Sequence, residues 1–228
     1  MELLGKLSLI IHIIAGIITL IAGPIAIFGQ NRTRLHQVAG RAFYYAMLVV
    51  VVTSIIGFLK YPTATFYQFL LGIAITVGYH VVRGVRAILI LKKRFRWGAL
   101  DRYMAHLMLV TGTAMLAAGA WHSLQGSNIA FPILFTVFGI GALNDARMSF
   151  KLNKVADQLN ARWLMRLHIM AMFAAFIAST TAFAVNVGAV MPWYIQWFAP
   201  TILLVPVQIY YLKKRGLTSK QLTLPAIA

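Results

Sequence analysis

The residues of this sequence with types and spacing suited to chemistry are histidines and arginines set inside apolar stretches. His80 is followed at three-residue steps by Arg83 and Arg86 within a single hydrophobic run. An ionisable side chain at membrane depth is costly and ordinarily faces a bundle interior, a water-filled cavity or lipid head groups, so it points to a site. Three further histidines stand beside arginines: His36 before Arg41, His106 after Arg102 and His168 after Arg166. With those arginines marking one membrane boundary, His36, His80, His106 and His168 are expected to form a layer supplied by four helices. Neutral imidazole is the commonest metal ligand and the usual axial ligand of haem. The layer is therefore expected to bind haem b, or otherwise a divalent metal. His80, His106 and His168 are the preferred ligands because they fall within the apolar runs, and His36 is the reserve or an outer donor. Arg83 and Arg86 would hold haem propionates or a quinone head group. Asp145, next to Asn144, would join as a metal ligand or would neutralise a nearby arginine.

A stacked pair of haems is disfavoured by helix geometry. His106 and His122 are 16 positions apart, which at about 100° per residue turns them to nearly opposite sides of a helix. His12 and His122 belong to the opposite membrane side. Met104, Met108 and Met172 near the histidines would suit copper(I), although methionines at helical spacing more often simply pack. Zero cysteines exclude disulfides, iron–sulfur clusters and thiolate zinc sites. Only 4 Asp and Glu residues are present, and no phosphate-binding glycine loop, nucleophile elbow or His-Glu-x-x-His motif occurs.

The elements that must position these residues are membrane helices. The 228 residues are 61% hydrophobic and 11% charged, with mean hydropathy +0.79, against about 25% charged in a typical soluble domain. The fold class expected is an all-α integral membrane protein, a seven-helix transmembrane bundle with runs near 7–28, 41–60, 66–90, 103–123, 129–147, 163–187 and 193–212. The first run is expected to remain in the mature protein, because it is long and is followed directly by a basic loop. The first, third and fifth connections and the tail carry nearly all the basic residues, among them Arg34, Lys93 and Lys151, whereas the fourth and sixth carry no charge. The positive-inside rule then puts the amino terminus outside and the carboxyl terminus in the cytoplasm. The net charge of +17 is read as a match to an anionic leaflet, with no nucleic-acid partner. One transmembrane domain is expected over 1–216, followed by a poorly ordered tail over 217–228. Small residues at Gly112, Gly119, Gly139, Gly141, Ala171, Ala175, Ala178 and Ala182 suit close helix packing. Pro24, Pro132, Pro200 and Pro206 are expected to kink or end helices.

The motif His36-Gln37-Val38-Ala39-Gly40-Arg41, a His-x-x-x-Gly-Arg after an apolar helix, resembles the signature of a bacterial family of predicted multi-pass membrane proteins of unknown function. The segment Arg162 to Met172, with Trp163, Arg166 and His168, followed by Thr181-Ala182-Phe183, is similar to a second segment of such proteins. The resemblance implies a location in the bacterial cytoplasmic membrane, and it brings no reaction with it.

Three functions remain open. The first is cofactor binding, most readily haem b, for membrane electron transfer. The second is a transporter or lipid-binding protein with a cytoplasm-facing basic cavity for an anionic substrate. The third is a metal-dependent membrane enzyme using His with Asp145.

Overall fold

The structure, a computed structural model, describes residues 2–126, 128–188, 190–218 and 222, with side chains from residue 5 onward. Seven α-helices run in chain order: α1 Glu2–Phe28, α2 Thr33–Lys60, α3 Thr65–Leu91, α4 Ala99–Leu124, α5 Ala130–Lys154, α6 Ala161–Val187 and α7 Trp193–Lys214. No strand occurs among the described residues. This is an all-α helical bundle, as the apolar runs require. Helices close every backbone hydrogen bond within the segment, which is what a hydrocarbon solvent demands.

Six of the seven are long and apolar enough to cross a membrane. The exception is α5, whose last third carries Asn144, Asp145, Arg147, Lys151, Asn153 and Lys154. Several helices outlast their apolar runs. The second begins at Thr33 and the fifth continues to Lys154, because a helix ends where its hydrogen-bond ladder ends and hydrophobicity need not stop there. His36 and Arg41 consequently lie inside α2, not ahead of it. The prolines end nothing: Pro24, Pro132, Pro200 and Pro206 all sit within helices.

Two compact units divide the chain. The first comprises 1–81 with 174–202 and contains α1, α2, the larger part of α3, the latter half of α6 and the start of α7. Its α1 and α2 form a hairpin closed by a short 3-10 turn at Gly29–Asn31, where the Arg32 N–H donates to Gly29 O at 2.8 Å. Ala15, Ala22, Ala39 and Ala46 are buried, so the backbones approach closely. Gly23 lies against the Phe176 ring, which also meets Phe43 edge-on at 6.3 Å. The outer face of α1 is hydrocarbon: Ile10, Ile14, Ile17 and Ile21 are each more than half exposed. An apolar face of that extent belongs in lipid.

The second unit comprises 82–173 with 203–228. Its α4 and α5 form an antiparallel hairpin in which a Cβ added at Gly112 would stand 2.9 Å from Gly139 O, and one at Gly139 would stand 3.1 Å from Gly112 O. These two glycines carry the expected close approach. Gly141 faces open space and Ala182 is exposed, so neither serves packing. Beyond α7, Gly216 takes φ 66°, and the Leu217 N–H reaches back to Leu212 O at 2.8 Å, closing the helix. Leu217 and Leu222 are buried, and Leu222 packs with Leu152, Trp163, Leu164 and Leu167. At these two positions the segment is packed, contrary to a poorly ordered tail, because leucines there complete an apolar cluster. The rest of the tail, 219–221 and 223–228, lies outside the described residues.

Candidate functional site

The polar groups of the second unit form ties between helices. Arg86 on α3 grips Asp101 in the first turn of α4 with both ends of its guanidinium, Nε to Oδ1 at 3.0 Å and Nη2 to Oδ2 at 2.6 Å. Such a bidentate pair is the strongest geometry available to arginine and carboxylate. Asp101 Oδ2 also accepts the Gly98 N–H at 2.9 Å, capping α4 where the helix dipole favours negative charge. Arg86 further donates to Arg96 O at 3.3 Å and lies 5.9 Å from the Phe95 ring, so it organises the whole α3–α4 connection.

Arg83, one turn earlier, donates to Ser149 Oγ on α5 at 2.8 Å, and Ser149 passes its own proton to Asp145 O at 2.8 Å. The Asp145 and Asp101 carboxylates add favourable charge near that guanidinium. His168 Nδ1 on α6 meets Gly84 O on α3 at 2.8 Å, beside Met172, which lies against Gly84. The Trp97 indole N–H donates to Asn153 Oδ1 at 2.8 Å. On α6, the Arg162 guanidinium donates to Gly216 O and that of Arg166 to Leu217 O, and Arg166 lies 5.7 Å from the Trp163 ring.

The expected histidine layer is not assembled as a ligand set. His106 is exposed, with Nδ1 on its own helix at Arg102 O, 2.9 Å, and its ring edge-on to Phe150 at 5.1 Å. His168 is tied to Gly84. His36 and His80 belong to the first unit, where His36 Nδ1 meets Ala26 O at 2.8 Å and His80 packs against Tyr79. A carbonyl oxygen only accepts, so Nδ1 carries the proton in His36, His106 and His168. Among the described residues no three His, Asp or Glu side chains gather closely enough to hold a metal ion. On α4, His106 is exposed while His122 is buried and stacked on Phe135 at 5.6 Å. In the first unit, His12 Nδ1 and Thr53 Oγ1 are hydrogen-bonded at 2.8 Å, joining α1 to α2.

A groove that the sequence reading missed lies between α4 and α5, with a volume of about 400 Å³. Leu109, Leu143, Ala146 and Phe150 form its apolar wall, and Arg147, Lys151 and Lys154 its cationic edge. No acidic side chain lines it. The legible signal was the spacing of Arg147, Lys151 and Lys154, which places three cations on one face of α5.

No family model, curated protein or solved structure matches this chain.

Proposed function

We propose that the chain is a multi-pass protein of the bacterial cytoplasmic membrane that binds an anionic amphiphile, as a lipid-binding protein or a transporter of lipid-like anions, with its basic connections on the cytoplasmic side. The observation that carries this reading is surplus charge. Segments 82–173 and 203–228 contain sixteen of the 21 basic residues and three of the 4 acidic ones. Asp101 is already committed to Arg86, and Asp145 adds favourable charge near Arg83. Lys92, Arg96, Arg102, Arg147 and Lys151 are all exposed. Charge of one sign at such density is matched from outside, and an anionic leaflet or an anionic substrate within it supplies the match.

Arg83 and Arg86 act in this reading as internal ties, so ligand binding falls to the exposed cations. The test is the lipid retained by protein purified in mild detergent. Enrichment of anionic over zwitterionic lipid relative to the host membrane, reduced by added salt, is expected. Retained lipid that mirrors the host composition overturns the reading. A colourless preparation is expected as well, and a Soret band would replace this function with haem binding.

A further inference from the structure

We propose that the α4–α5 groove is a site for one anionic phospholipid, its phosphate held by Lys151 and Lys154 with Arg147 and its acyl chain laid along Leu143, Ala146 and Leu109. This deepens the function proposed above and rests on it. The argument begins with order along the helix. Leu143, Arg147, Lys151 and Lys154 follow one another at steps of four, four and three, so they line a single face of α5. Leu143 and Ala146 come first, Arg147 and Phe150 follow, and Lys151 and Lys154 occupy the last turn. The exposed His106 ring is set edge-on against Phe150.

Leu143 to Lys154 spans about 16 Å at 1.5 Å per residue, which is about half of a hydrocarbon core near 30 Å thick. The lining face of α5 is thus about as long as one leaflet is thick. Its volume of about 400 Å³ suits part of an acyl chain and a head group. Three cations bordering an apolar lining, with no carboxylate among the lining residues, complement an anion with a hydrocarbon tail. A free phosphate would leave that wall bare. The lysines also suit the negative end of the α5 dipole, a role that predicts stability effects alone.

The experiment uses the full chain in nanodiscs of phosphatidylcholine doped with phosphatidylglycerol, and reads the enrichment of phosphatidylglycerol bound to the protein. Neutralising all three cations, as R147Q/K151Q/K154Q, is expected to reduce enrichment about a hundredfold, near fivefold for each charge. L143W keeps every charge but fills the apolar wall, and is expected to reduce enrichment about tenfold. K151R/K154R, which preserves charge and guards against loss through misfolding, is expected to retain it. R32Q/R34Q, at exposed cations outside the groove and in the other unit, is expected to leave it within about twofold. Enrichment that survives in the triple variant but disappears in R32Q/R34Q overturns this site while leaving the broader function standing. Absence of any enrichment in the unaltered protein removes both. Inorganic phosphate competing as effectively as phosphatidylglycerol overturns the acyl-chain assignment.

Discussion

The two units of this protein solve the problem of polar groups in lipid differently. In the unit formed by 1–81 and 174–202, the described polar ties are neutral. Thr19 donates its hydroxyl hydrogen to Gly16 O at 2.7 Å and Ser54 donates to Val50 O at 2.8 Å, while the His12–Thr53 and His36–Ala26 O contacts link α1 to α2. In the unit formed by 82–173 and 203–228, full charges are brought in and tied across helices, Arg86 to the Asp101 carboxylate and Arg83 to the Ser149 hydroxyl. Neutral back-bonding inside a helix costs little and specifies little. Charged ties fix which helix lies beside which, and removing one member leaves the other stranded. The basic unit thus has its internal arginines committed to architecture, and its outward cations are the ones available to a ligand.

That contrast can be broken by mutation. The largest effect is expected from Asp101→Asn, which strands Arg86 and weakens the cap on α4. A loss of about 3 to 5 kcal/mol is expected, measured as a lowered midpoint of thermal or denaturant unfolding in detergent. An effect below about 1 kcal/mol would make the pair an ordinary surface contact and erase the difference between the units. Gly112→Ala comes next, since its added carbon would meet Gly139 O and the Leu143 side chain. A cost of about 1 to 3 kcal/mol is expected, whereas Gly141→Ala, which faces open space, should be neutral or stabilising. In the first unit, a double-mutant cycle on His12→Ala and Thr53→Val should return a coupling of about 0.6 kcal/mol, the usual worth of a hydrogen bond between membrane helices. A coupling near 3 kcal/mol would place that unit in the same regime as its partner. The smallest change is expected at Lys93, which holds φ 58° just after α3, where its N–H reaches Ile90 O at 2.9 Å. Lys93→Gly should relieve strain and raise stability by up to about 1 kcal/mol.

What was legible in the sequence was whatever depends on position along one helix. Seven apolar runs gave seven helices, and on α4 both His106 and His122 rest against phenylalanines of α5, Phe150 and Phe135. Matters that depend on rotation about the helix axis, or on which helices are neighbours, were not legible. His168 and His106 each stand near an arginine in sequence, yet one ring turns to Gly84 O and the other outward beside Phe150. Nothing local to Asp101 tells that Arg86, 15 positions earlier, folds back onto it. Arg83 and Arg86 were rightly singled out as unusual. Their partners, Ser149 and Asp101, are a tertiary fact.

The grip of α6 on the segment beyond α7 carries a consequence for biosynthesis. Arg166 binds a carbonyl that lies 51 residues further along the chain, and Arg162 binds one 54 residues further along. At roughly 5 to 20 residues per second of translation, both guanidinium groups emerge several seconds before their acceptors exist. During that interval neither carbonyl acceptor has been made, so the clamp closes only after α7 has left the ribosome. The order of assembly is thereby written into the distance between donor and acceptor.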